Sequence, residues 1–282
     1  MTGSRLAGRV AVVTGASRGL GAAVAKRFAA EGAHVVLVAR TSAGLEEVDD
    51  AIRAGGGAAT IAPFDLLDSP AIDRLGAALF ERYKKLDILV GAAAQLGTIT
   101  PVGHIGPKEW DKVMAVNATA NWRLVRSLDP LLRASDAGRA IFVTDRVAGD
   151  AAAYWGTYAA SKSALETMAR IYAHEMASST VRVNLIDPGP LRTKLRAEEL
   201  ADHRSCRLGK WYYGEGAATC AHLDAFRALE APHERVHRHG IQAARLFADG
   251  KHAEALAEIA KVETASADVL ARLDELRAGQ KG

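Results

Sequence analysis

Val10-Ala-Val-Val-Thr14-Gly15-Ala-Ser17-Arg18-Gly19-Leu20-Gly21 is an apolar, β-branched run that breaks into a glycine-spaced turn and then an alanine-rich helical pattern. It reads as a strand, a tight loop and a helix start. Such a loop points backbone N–H groups and a helix N-terminus at one spot, which suits a phosphate. Its glycines let a ligand approach with no Cβ in the way. A second apolar strand, His34 to Ala39, follows at the spacing of a βαβ unit.

Working outward, the alternation continues. A polar helix is predicted over Ser42 to Ala54, a break at Gly55-Gly56-Gly57, and a strand over Ala58 to Ile61 with Asp65 just beyond it. A helix follows from about Pro70 to Tyr83, then a buried strand from Leu86 to Val90. Pro107 suits a first helical turn and opens a long helix carrying Trp110, Val113, Met114, Asn117 and Trp122, which Pro130 should kink or end. Ala140 to Thr144 is a fifth strand, Trp155 to Ser178 a long helix, and Val181 to Ile186 a sixth strand stopping at Asp187-Pro188-Gly189. Six strands with intervening helices imply an α/β fold, a Rossmann-type doubly wound parallel sheet.

After about Leu200 no strand pattern returns. Ala, Leu, Glu, Arg and His take over at helical spacing, as in Leu256, Ile259 and Val262, then Val269, Leu270 and Leu273. Two domains are expected, 1–199 and a small all-helical module over 200–282. The junction lies between Arg192 and His203, where Thr193 to Glu199 is charged and reads as helix or linker.

The 282 residues are 49% hydrophobic and 24% charged, as in an ordinary globular protein. A net charge of +3, with scattered Lys and Arg, argues against nucleic acid or an acidic membrane surface as partner. With neither a membrane-spanning run nor the apolar core of a signal peptide in Met1 to Arg9, a cytoplasmic location is expected. Cys206 and Cys220 do not form a disulfide framework; a cysteine near histidines reads as a thiol or metal ligand.

Tyr158-Ala-Ala-Ser161-Lys162 sets a tyrosine and a lysine one helical turn apart on one face. An ammonium beside a phenol favours the phenolate and brings a poor acid-base group toward working range. Together with the loop Thr14 to Gly21, Asn117, and Pro188-Gly189 through Thr193, this pair makes residues 5–195 resemble the short-chain dehydrogenase/reductase family. The resemblance implies that Tyr158 exchanges the proton at the substrate oxygen and that Lys162 tunes it and holds the nicotinamide ribose. Asn117 would anchor a proton-relay water; its alternative reading is a helix-kink hydrogen bond. Gly15, Ser17, Arg18, Gly19, Leu20, Gly21, Asp65, Leu66, Ala93, Pro188, Gly189 and Thr193 would line the cofactor, with Asp65 at the adenine and Thr193 near the carboxamide. Arg40 stands where an acidic residue would select a ribose 2′-OH; with Arg18 it points to NADP, although a solvated surface charge is the other reading.

Two departures stand out. Thirteen residues before Tyr158, where the family has a serine that donates to the substrate carbonyl, this chain has Asp145. An ionised carboxylate only accepts hydrogen bonds, and its charge opposes Lys162. Thr144 is the neighbouring hydroxyl, but alternation along a strand turns it away. Gly91-Ala92-Ala93-Ala94 replaces the family's Asn-Asn-Ala-Gly, which should leave neighbouring strands untied by an amide and put a Cβ of Ala94 toward the cofactor.

In the tail, Cys206-Arg-Leu-Gly-Lys-Trp211 is followed by Pro232-His233-Glu-Arg-Val-His237. Imidazoles at i and i+4 can reach one metal. From Asp202 onward the pattern resembles the chemoreceptor zinc-binding family, a four-helix bundle with one cysteine and three histidines around Zn2+. The resemblance assigns Cys206, His233 and His237 as ligands. The family's further histidine, in an earlier His-x-x-Trp helix, has no counterpart, so three ligands leave an open position for water, for His174, His203 or His222, with His203 the nearest in sequence, or for a partner chain. His239 and His252 read as solvated. The uncovered bundle face implies packing on the first domain or a homo-oligomer.

Two functions follow. One is an NADP-dependent oxidoreductase acting on a small-molecule carbonyl or secondary alcohol, with an appended zinc module. The other is a catalytically weakened cofactor domain serving as a zinc-sensing regulatory protein.

Overall fold

The computed structural model describes residues 4–189, 203–204, 206–248 and 251–279. The chain divides into two compact units, Met1–Gly189 and Pro190–Gly282. The first is a six-stranded parallel sheet in the order β3-β2-β1-β4-β5-β6. Its strands are β1 (Val10–Thr14), β2 (His34–Ala39), β3 (Ala58–Pro63), β4 (Ile88–Gly91), β5 (Arg139–Val143) and β6 (Arg182–Ile186). Between them run α1 (Gly19–Ala30), α2 (Ser42–Ala54), α3 (Ser69–Tyr83), α4 (Pro107–Met114), α5 (Ala120–Arg133), the short α6 (Val147–Asp150) and α7 (Gly156–Glu175).

Every residue of β1 is buried, because helices cover the central strands on both faces and each side chain meets a core. Val12, Val36, Leu89 and Phe142 join Leu124, Leu128 and Leu165 on one side. On the other, Val13, Val35, Leu37 and Val90 meet Ala25, Leu45, Val48 and Ile52. The strand order reverses between β1 and β4, and the crevice beyond their C-terminal ends is where doubly wound sheets bind ligands.

The helix opened by Pro107 differs from the sequence expectation. It is interrupted at Ala115–Thr119 by a π turn containing Asn117, and α5 runs three residues past Pro130 before ending at Arg133. Such turns displace one residue from the regular helical path, which re-aims its side chain. Helix α6 was not foreseen; its four residues carry no amphipathic period to read.

The second unit is helical, with α8 (Arg207–Tyr212), α9 (Glu215–Cys220), α10 (Asp224–Arg227), α11 (Glu230–Ala248) and α12 (His252–Gly279). Tyr212, Cys220, Phe226, Leu229, Val269 and Leu276 form its core, with Tyr212 stacked on Phe226 at 4.3 Å. Val269 is buried and Leu273 packs beside it, whereas Leu256, Ile259 and Leu270 are exposed. Ala255 and Ala265 are buried on α12 together with Val269 and Leu276, so only part of this helix's apolar period faces the core.

Candidate active site and metal site

The glycine loop is built for close approach. Gly15 has φ +68°, and a Cβ there would lie 2.9 Å from the Ala93 backbone. A Cβ at Gly21 would collide with the Gly15 carbonyl, so the first turn of α1 packs directly on the loop. Gly19 also has positive φ, 57°. Arg18 caps α1 without a side-chain hydrogen bond, leaving the helix's leading N–H groups to the loop side, where Ser17 and Leu20 are half-buried. Arg18 and Arg40 are exposed, and Arg40 directly follows β2. Asp65 follows β3, accepts the Leu67 N–H at 3.0 Å, and precedes the buried Leu66. Pro188 and Gly189 follow β6, where Asp187 accepts the N–H groups of Gly189 at 2.8 Å and Arg146 at 3.1 Å. Thr193 lies outside the described residues. These cofactor-lining candidates therefore lie in the glycine loop, at the start of α1 or just past a strand's C-terminal end.

The strands around Ala92 are not left untied. Thr14 Oγ1 donates to the Val90 carbonyl at 3.3 Å and accepts the N–H groups of Ala92 and Ala93 at 3.1 and 3.2 Å. A hydroxyl on β1 thus holds the β4 loop. Gly91 has its own reason: a Cβ there would collide with Asn121 Oδ1 and come within 2.7 Å of Phe142. Asn121, which sequence reasoning missed, is buried and donates to the Asn117 carbonyl at 2.8 Å. Its spacing of four from Asn117 on one helical run was the available signal.

Asn117 is fully buried, and its amide is engaged on all sides. Its Oδ1 accepts the Gln95 N–H at 2.8 Å, while Nδ2 donates to the Gln95 carbonyl at 2.8 Å and to Ser161 Oγ at 2.9 Å. Ser161 Oγ donates to the Tyr158 carbonyl at 2.8 Å. One side chain therefore bolts the segment after β4 to the turn of α7 that carries Tyr158 and Lys162.

Lys162 and Tyr158 are both buried, with the ammonium 5.6 Å from the ring centroid. Lys162 Nζ donates to the Val143 carbonyl at 2.7 Å. Burial pushes the Lys162 ammonium down from the ordinary 10.5 to about 8, against the opposing pull of Asp145 and Glu166. Between those values the unfolded chain holds a proton that the native one has lost, so native stability rises with pH there. Chemical denaturation is expected to show roughly 2 kcal/mol gained by this site between pH 7 and 9.5, and Lys162→Met should remove that gain.

Asp145 Oδ1 accepts the Val147 N–H at 3.2 Å, and its carbonyl accepts that of Ala148 at 2.9 Å, so the residue starts α6. Thr144 points away, donating from Oγ1 to Glu166 at 2.6 Å.

In the helical unit, ligand atoms of Cys206, His233 and His237 all lie within 4.8 Å of one another. Cys206 Sγ is 3.1 Å from His233 Nε2 and accepts the Gly209 N–H at 3.2 Å, capping α8. His233 and His237 lie one turn apart on α11, with ring centroids 5.0 Å apart. Burial, then the neighbouring His237 and His203, push His233 down to about 4, so its imidazole is kept neutral, the metal-binding form. A thiol and two imidazoles suit Zn2+. His239 is not solvated as expected: its Nδ1 lies 2.6 Å from Glu258 on α12. The side chain of His252 lies outside the described residues.

Among the described residues, no helix is long and apolar enough to cross a membrane. The family model described as short chain dehydrogenase matches residues 9–204, and that of the chemoreceptor zinc-binding domain matches 189–244. The chain is 37% identical over 194 residues to the uncharacterized oxidoreductase YciK of Escherichia coli K12, covering 67% of this chain and 76% of that one. It is 30% identical over 204 residues to 2,3-dihydro-2,3-dihydroxybenzoate dehydrogenase of Bacillus subtilis, covering 72% and 77%. Among solved structures, a short chain dehydrogenase of Escherichia coli CFT073 complexed with NADPH aligns with TM-score 0.66 at 37% identity, covering 69% of this chain and 82% of that one. With its reversed strand order, glycine loop and Tyr158–Lys162 turn, the chain belongs to the short-chain dehydrogenase family and carries a chemoreceptor zinc-binding domain after it.

Proposed function

We propose that this protein is an NADP-dependent oxidoreductase acting on a carbonyl or secondary alcohol, with a zinc-binding helical module. The observation that carries the reading is the buried junction in which Asn117 and Ser161 fix the turn of α7 bearing Tyr158 and Lys162. Solved relatives complexed with NADP and NADPH support the cofactor assignment.

The loop suits a nucleotide because Gly15 and Gly21 let the loop, the segment after β4 and the first turn of α1 pack backbone against backbone, and Gly15 and Gly19 take the positive φ of the tight turn. Arg18 and Arg40 would meet a 2′-phosphate, and Asp65 with Leu66 would border the adenine. A nicotinamide held there would supply or take the hydride. Tyr158 Oη gives the proton to the substrate oxygen in reduction and takes it back in oxidation. The Lys162 ammonium favours the phenolate that results, and the Val143 carbonyl holds Nζ in place. Asp145 offers no hydrogen-bond donor when ionised, so the oxyanion is stabilised by Tyr158 without the second donor supplied by the family's serine.

The second function, a zinc-sensing protein built on a weakened cofactor domain, is favoured by Asp145 and by Ala94, which stands where the family has glycine. Both readings are tested by titrating NADPH, NADH and zinc on the purified chain. NADPH is expected to bind more tightly than NADH, and Arg40→Ala to narrow that preference by about tenfold, the effect of losing roughly 1.4 kcal/mol of charge-assisted contact. Equal affinity for the two nucleotides would remove the NADP assignment. Tight NADPH binding without turnover of any ketone would favour the sensing protein.

A further inference from the structure

We propose that His203 is the fourth zinc ligand, supplied from the turn just ahead of Cys206 in place of the histidine that related domains carry on an earlier helix. The inference rests on the zinc reading above and deepens it. A closed structural zinc site takes four protein donors, and Cys206, His233 and His237 account for three.

His203 lies beside these three. Cys206 Sγ, which caps α8 through the Gly209 N–H, also lies 3.7 Å from the His203 carbonyl. A Cβ at position 209 would collide with that same carbonyl. Glycine there is what lets the turn at His203 and Arg204 lie against the start of α8. The His203 ring stands edge-on to the His233 ring, 6.3 Å away with the planes at 86°, and 6.2 Å from Tyr213. Arg204 lies over the Tyr213 ring at 5.1 Å, which fastens the turn from its other side. His203 and His237 line one cavity of about 490 Å³.

His203 and Cys206 are separated by two residues, a chelating interval that recurs in structural zinc sites. The His203 ring borders the 4.8 Å trio without belonging to it, so metal binding has to rotate the ring inward. The other donors around that cavity are less suited. His239 is held by Glu258 at 2.6 Å, and Glu258 is also bound by Lys261 at 2.6 Å. Glu234 is exposed, whereas the adjacent His233, about 100° around α11 from it, is buried.

The test uses the intact chain loaded with zinc, and with Co2+ as a spectroscopic probe. His203→Ala is expected to weaken zinc binding in chelator competition by about tenfold or more, and to change the visible Co2+ bands as water replaces an imidazole. His203→Cys should restore affinity and strengthen the thiolate-to-metal band, which a merely structural role would not do. His239→Ala should leave both readouts unchanged. Unaltered affinity and spectrum in His203→Ala, with metal lost in Cys206→Ala, would overturn the role of His203 and leave the zinc site standing. No stoichiometric zinc in the parent chain would overturn the site itself, and this inference with it.

Discussion

Tyr158→Phe is expected to lower NADPH-dependent ketone reduction by a factor on the order of 10² to 10⁴, while NADPH affinity changes little. The substitution removes only the hydroxyl. The ring remains in its small cluster with Leu96 and Val147, and the backbone carbonyl of residue 158 still accepts from Ser161. Asn117 and Lys162 keep their partners, so the loss isolates proton transfer from positioning. Steady-state rates over a panel of ketones, set beside fluorescence titration of NADPH, separate the two. Equal turnover in parent and variant would remove Tyr158 from the reaction. Asp145→Ser is the complementary change. It restores a neutral donor and removes a negative charge near Lys162, and one donor aimed at a developing oxyanion is worth roughly 2.7 to 4 kcal/mol. Turnover should therefore rise by about two orders of magnitude. Serine also caps short helices well, so the start of α6 should survive the exchange.

Cys206→Ala is expected to weaken zinc binding by about a hundredfold or more, since even partners outside the coordination sphere are worth 10- to 100-fold. The same change removes the sulfur that accepts the Gly209 N–H, so α8 loses its cap along with the metal. Metal affinity is coupled to the stability of the folded site. A chelator should accordingly lower the melting temperature of the parent's helical unit and leave that of Cys206→Ala unmoved. The readout is calorimetry with and without chelator, beside zinc content by atomic absorption. Full stoichiometric zinc in the variant would show that the thiol is not a ligand.

The sequence by itself determined the alternating architecture, because β-branched runs separated by helical segments have one economical packing, the parallel doubly wound sheet. It also located the glycine loop, the Tyr158–Lys162 turn and the Cys206, His233 and His237 set, since each is a short interval along one loop or helix face, or a recognisable spacing between two. Contacts between distant segments were decided only by the tertiary structure. The anchoring of Gln95 and Ser161 by Asn117 depends on a π turn, which no periodicity announces. Thr14 replaces an absent amide because β1 and β4 are neighbours in the sheet while 76 residues apart in the chain. The turn at His203 folds against α8 because Gly209 has no side chain to hold it off. The period of side chains says which face of an element is buried, and only packing says which atom across the interface completes a buried polar group.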